Sequence, residues 1–237
     1  MPSQNPQSPR SNSNGNVPDN GPVVDLAYPF TGRWLVQNSP ANRVPSHGTE
    51  AFATSYAIDF VPVDESGRTA RVTWRGLLRP ESTDHFPGFG RSVLSPVDAV
   101  VHSVHDGEPD HPAYRGLPSL GYALTQSRRA AAGWRSLSGN SIFLLPYSAG
   151  ADTPAPVIAL CHLQRGSITV RAGQRVTVGE PLGACGNSGN STEPHLHVQA
   201  MASPDAARAQ AVPLSFDGGL PGERRDRGSP CAVISAV

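Results

Sequence analysis

The chain contains no lysine: all 19 basic residues among its 237 are arginines, and 19 acidic residues balance them. The absence of lysine reflects GC-rich coding and says little about function. With no net charge, the composition gives no ground for a nucleic-acid or membrane-surface partner. No apolar run approaches the ~20 residues of a membrane span, so no transmembrane segment is expected. Cysteine is scarce. Cys161, Cys185 and Cys231 form an odd set, unlike a secreted disulfide framework. Cys161 lies in an apolar run and reads as a small core residue, Cys185 sits in a glycine turn, and a Cys161–Cys185 bridge is an open alternative. The first residues lack a cationic segment followed by an apolar one, so no Sec signal peptide is visible. That leaves a cytoplasmic protein, an unusual export route or a different native start.

Glycine and proline are plentiful instead, at 24 each. This disfavours a helical bundle and favours short strands joined by turns. The length suits one large domain or two small ones, and is enough to bury a core without staples. Residues 1–22 are Asn, Ser, Pro and Gly with little apolar content, a disordered tail in expectation. Residues 23–237 are expected to form one domain. Strands are expected at Trp34–Val36, Tyr56–Val61, Val72–Leu78, Val97–His105, Ser141–Leu145, Val157–Leu163, Ile168–Val170, Arg175–Val178 and Leu196–Met201. One short helix is expected around Gln126–Trp134, and a mostly polar stretch after Ala202. The fold class is mainly β, an antiparallel sandwich or open barrel-like sheet with long loop insertions.

The chemistry concentrates late in the chain. His195 and His197 are two apart, so on a strand both imidazoles point to one face. Pro194 suits the start of that strand, which places the pair at a sheet rim. A surface pair is the alternative. Asp59 interrupts an apolar strand, and a buried carboxylate needs a partner such as a metal ion or a hydrogen bond. His47 lies in a loop and His162 at the end of an apolar strand. His102 and His105 flank a strand end, while His85 and His111 lie in polar stretches. Two histidines and a carboxylate make a catalytic zinc set that leaves one position open.

These residues, in this order, resemble the M23 metallopeptidases, the LytM or lysostaphin-like zinc endopeptidases of bacterial cell walls. The match is carried by His47, Asp59, Cys161-His162-Leu163 and His195-Leu196-His197. The two-turn segment Val170–Gly183 and the glycine turn Gly186–Ser191 add to it. It is tightest over residues 140–200. The family's usual His-x-x-x-Asp spacing is stretched here to twelve residues, with His85 the alternative first ligand. The resemblance implies a mainly β fold of the M23 type and zinc (Zn2+) held by His47, Asp59 and His197. It further implies that His195 holds or deprotonates the attacking water, and that His162 orients it or stabilises the tetrahedral intermediate. The implied substrate is a peptide of peptidoglycan, in a cross-bridge or stem. Stretches 62–92 and 106–139 exceed the family core and are expected to wall a groove.

Other readings stay in view. A non-catalytic zinc- or peptidoglycan-binding module that regulates another hydrolase would keep the ligands without cleavage. A structural zinc site of Cys161, Cys185, His195 and His197 lacks a CxxC pair. A Cys161 nucleophile conflicts with strand alternation, which puts His162 on the opposite face. No G-x-S-x-G elbow is present. Removal of residues 1–22 is expected to leave the melting temperature unchanged, because such a segment adds nothing to a core; a clear drop would contradict this.

Overall fold

Short runs of apolar and β-branched residues, most of them ended by glycine or proline, build a largely antiparallel β structure. The computed structural model describes residues 23–71, 73–147, 155–223 and 233–236. The expected tail over 1–22, Cys231, and Arg224, Arg225 and Arg227 lie outside the described residues. The strands are β1 (Val24–Leu26), β2 (Gly32–Gln37), β3 (Ile58–Pro62), β4 (Ser92–Leu94), β5 (Ala99–His105), β6 (Asn140–Pro146), β7 (Val157–Leu163), β8 (Arg175–Val176), β9 (Pro181–Ala184), β10 (Leu196–Met201), β11 (Ala211–Val212), β12 (Leu214–Phe216) and β13 (Val233–Ala236). The helices are α1 (Trp74–Leu78), α2 (Leu117–Leu124), α3 (Gln126–Ala131) and α4 (Trp134–Ser138).

One nine-stranded sheet runs in the order β13–β2–β3–β10–β7–β6–β5–β8, with β11 paired to the end of β10. All its pairings are antiparallel. Two small pairs, parallel β1–β12 and antiparallel β4–β9, stand apart from it. Strands β3, β7 and β10 are buried along their whole length, which is why they read as nearly continuous apolar runs.

The two faces of this sheet differ. On one, Ile58, Phe60, Leu160, Leu196 and Val198 meet Leu26, Leu214 and Phe216 from the β1–β12 pair, and Val93 and Leu182 from the β4–β9 pair. This is the main core, and its position between two layers accords with the expected sandwich. Aromatic rings fill its centre. Phe30 stacks on Trp34 at 4.2 Å between centroids and meets Phe60 edge-on at 4.9 Å. On the other face, Val157, Ala159, Cys161 and Met201 form a smaller core with Ala53 and Phe143. Beyond that core the same face carries Gln37, Asp59 and His197.

Some expectations need correction. Of the expected strand Val72–Leu78, Val72 lies outside the described residues and the rest is not a strand: from Trp74 the chain turns into α1, because Thr73 caps it, its Oγ1 accepting from the Gly76 amide at 3.0 Å. The helix expected around Gln126–Trp134 is α3, but it is flanked by two further helices, α2 and α4, with breaks near Thr125 and Gly133. Ile168–Val170 joins no ladder, although Val170 is buried in the main core. The polar stretch after Ala202 contains three strands of two to four residues, too short to show a period. Both Cys161 and Cys185 are free thiols and sit in different cores, so the bridge is not formed.

Phe60 neighbours Asp59 on β3 and packs against Tyr28, Phe30 and Phe216. Phe60→Ala is expected to cost about 3–5 kcal/mol of stability in denaturant unfolding. A loss below about 1 kcal/mol would show that this aromatic cluster does not carry the core.

Candidate active site

Strand register sets a row of side chains across four neighbouring strands. Gln37 on β2 lies opposite Asp59 on β3, Asp59 opposite His197 on β10, and His197 opposite Cys161 on β7. His195 precedes β10 and shares the face of His197, as the two-residue spacing predicts. His47 arrives from the loop before β3 and closes the group.

Asp59 is the centre. Its Oδ1 lies 2.9 Å from His197 Nδ1 and 3.8 Å from His195 Nε2. Its Oδ2 lies 3.2 Å from His47 Nε2 and accepts from Asn38 Nδ2 at 2.7 Å. Burial alone would push the carboxyl up. The imidazoles of His47, His195 and His197 around it outweigh burial and hold it well below the usual carboxylate range. Asp59 is therefore ionised.

The hydrogen bonds behind each imidazole decide which nitrogen faces Asp59. Gln199 Nε2 donates to the Phe52 carbonyl at 3.0 Å, so its Oε1 accepts from His197 Nε2 at 2.9 Å. His197 Nδ1 is then a lone pair. The Ser46 hydroxyl donates to the Thr54 carbonyl, so it accepts from His47 Nδ1 at 3.0 Å. His47 Nε2 is then also a lone pair. His195 Nδ1 is held by the Glu193 carbonyl at 2.9 Å, and His162 Nδ1 by the Ser188 carbonyl at 2.9 Å. Each ring is tied at the back and presents its other nitrogen as an acceptor.

In their neutral forms His47 and His197 thus turn lone pairs onto the carboxylate oxygens, an arrangement that suits a cation. The ligand atoms of His47, Asp59 and His197 all lie within 4.8 Å of one another, which fits a metal ion. Two nitrogens and one oxygen suit a borderline transition ion and leave coordination positions for substrate or water. No group including Cys161 or Cys185 forms among the described residues. His85 takes no part either. It ends a single helical turn at Thr83–His85, away from the cavity lining. His105 faces Glu108 at 3.4 Å, and His111 bonds the Gly189 carbonyl at 3.0 Å; neither they nor His102 line the cavity.

His162 departs from the expected strand pattern. Its φ of +63° is in the left-handed region, rare outside glycine. The β6–β7 register shifts between Asn140 and Ile142, opposite this end of β7. As a result Cys161 and His162 both line the cavity, while Leu163 returns to the main core. The expected opposition of Cys161 and His162 therefore fails. Cys161 is still a poor nucleophile, because burial pushes its thiol far above the usual range and Asp59 pushes it further. Burial and the nearby His195 and His197 hold His162 well below the usual imidazole range, so it is neutral.

The Gly186–Ser191 turn supports this arrangement. Gly189 has φ +72°, and a Cβ there would meet the Gly139 nitrogen at 2.4 Å. Only glycine permits that approach, which brings the Ser188 carbonyl onto His162. The cavity beside Asp59 measures about 440 Å³. Tyr122, Gln126, Arg129 and Trp134 from α2, α3 and α4 form one wall, so stretch 106–139 walls the cavity as expected, whereas 62–92 does not. The Arg129 guanidinium stacks 3.7 Å over the Tyr122 ring and its Nε donates to Asn190 Oδ1 at 2.7 Å. Sequence reasoning missed Ser46, Gln199 and Ser188. Gln199 alone had a signal: a polar residue in an apolar strand, two positions after His197.

The sequence profile of peptidase family M23 matches residues 130–209. Curated proteins give no match. Among solved structures, the catalytic domain of the antimicrobial peptidase lysostaphin from Staphylococcus simulans is 18% identical, with 66% of this chain and 74% of that one covered and a TM-score of 0.37. A zinc-containing peptidase from Vibrio cholerae is 17% identical, with 65% and 48% covered and a TM-score of 0.33. This chain thus spans about half of the Vibrio chain. The deep-sea M23 metalloprotease pseudoalterin is 12% identical, with 81% and 74% covered and a TM-score of 0.38. The match of residues 130–209 to the M23 profile, together with the His47–Asp59–His197 group, supports a metallopeptidase.

If Gln199 sets the His197 tautomer, Gln199→Ala is expected to weaken metal affinity about 10- to 100-fold in chelator competition. Unchanged affinity would show that His197 needs no support from behind.

Proposed function

We propose that this chain, with its M23 segment over residues 130–209, is a zinc-dependent endopeptidase that cleaves peptide bonds in peptidoglycan cross-bridges or stems. We infer that residues 23–237 act as one peptidase unit. The observation that carries the reading is the convergence of His47, Asp59 and His197, whose ligand atoms all lie within 4.8 Å of one another. Those three residues would hold the metal. Zinc in such a site supplies Lewis acidity, polarising a peptide carbonyl and making water acidic enough to ionise near neutral pH.

The chain's own groups then divide the remaining work. His195 presents Nε2 as an acceptor beside Asp59, with Nδ1 fixed on the Glu193 carbonyl. It takes the proton of the attacking water and delivers it to the departing amine. His162 is neutral, and its Nδ1 is committed to Ser188. Its free nitrogen therefore accepts a hydrogen bond, which favours orienting the water over donating to an oxyanion. The cavity wall of α2 to α4 confines the peptide against the row of ligands. The resemblance to the M23 family supports glycine-rich or D-amino-acid-containing peptides as substrates.

Variants separate these roles. His197→Ala is expected to lose most bound zinc, and full retention in metal analysis would remove it from the ligand set. His195→Ala and His162→Ala are expected to keep zinc while turnover on peptidoglycan or glycine-rich peptides falls about 10²-fold or more. Wild-type turnover in either would remove its role. A zinc-loaded wild type that cuts neither substrate would favour the binding-module reading.

A further inference from the structure

Helix α2 is amphipathic in the reverse of the usual sense. Ser119, Tyr122 and Ala123 face the cavity, while Leu117, Leu120 and Leu124 recur at three- and four-residue spacing on the solvent side. A surface helix normally turns such an apolar stripe inward. Leu124 is 84% exposed. Helix α1 adds Leu77, Leu78 and Trp74, the last 83% exposed. The two helices touch where Gly116 abuts the backbone of Leu77. Of ten exposed large apolar side chains among the described residues, six are on α1 and α2. Exposed apolar surface concentrated in this way marks an interaction site.

Charge identifies the partner. The chain as a whole is neutral, but residues 70–80 contain Arg71, Arg75 and Arg79 and no acid. Residues 112–139 contain Arg115, Arg128, Arg129 and Arg135, again with no acid. Arg115 is engaged with Glu81, and Arg129 lies over Tyr122. The other five form no ion pair among the described residues. A second copy of this chain would set arginine against arginine. A soluble polyanion would engage the arginines and leave Trp74 and the leucines in water. A bilayer surface containing anionic lipid accommodates both, with tryptophan and leucine at the headgroup–acyl boundary and arginine on phosphate.

We propose that α1 and α2 form a docking face for an anionic lipid surface, with the cavity on the opposite side of α2. The test is co-sedimentation of the full chain with vesicles of phosphatidylcholine alone and of phosphatidylcholine with phosphatidylglycerol. Binding to the anionic vesicles is expected to exceed binding to the neutral ones by about tenfold or more. The variant W74S/L120S/L124S is expected to lose about tenfold or more of it with an unchanged melting temperature, since all three side chains are exposed. R75Q/R79Q provides the second arm and is expected to abolish the preference for anionic lipid. Absence of vesicle binding overturns the proposal. So does equal vesicle binding by the triple serine variant, which would leave the arginines alone as a polyanion site. A wild-type dimer that the serine variant abolishes, without vesicle binding, would assign the face to a second copy.

Discussion

A carboxylate buried to 5% exposure cannot be left unneutralised, and Asp59 sets the terms for everything around it. The effective penalty for burying such an ion is several kcal/mol. One amide, from Asn38, offsets only part of this. The remaining acceptor capacity points at imidazole nitrogens whose protons are engaged elsewhere. The site is therefore organised around a cation, and the hydrogen bonds behind the rings matter as much as the rings themselves. Ser46, Gln199, Ser188 and Glu193 each hold one imidazole by its rear nitrogen.

The sheet makes that convergence possible. Register places Gln37, Asp59, His197 and Cys161 side by side on four strands, and the main core on the opposite face holds those strands in place. Burying the aromatic cluster of Phe30, Trp34 and Phe60 thus also positions the carboxylate one residue away from Phe60. Next to Cys161, the backbone at His162 leaves strand geometry for the left-handed region. It turns into the cavity a ring that regular alternation would have sent into the core. Strain of this kind, of order 1–3 kcal/mol, persists where the surroundings over-determine it, and here the Gly186–Ser191 turn does so through Ser188.

Strands with a strong local signal were readable from sequence. β7 and β10 have the expected bounds, because both are buried throughout and end at turn residues. The group His47, Asp59 and His197 was also readable, although the spacing of its first two members is unusual; in three dimensions the intervening loop simply returns to β3. Other features had no local signature. Strands of two or three residues, such as β11 and β12, exist because a neighbour supplies their hydrogen bonds. α1 depends on a single cap at Thr73, in a stretch whose composition suits a strand. The flip at His162 comes from the turn 26 residues later in the chain that holds it at Ser188. The outward apolar stripe of α2 resembles an ordinary buried face until the structure shows which side the cavity occupies.

Metal content by mass spectrometry, on purified wild type and on Asp59→Ala, tests the central claim most directly. The account predicts about one zinc per chain in the wild type and little in the variant, as expected for a three-ligand site that loses its only charged ligand. A folded wild type that takes up no zinc after the metal is added back would contradict it, as would an Asp59→Ala variant that retains its full complement.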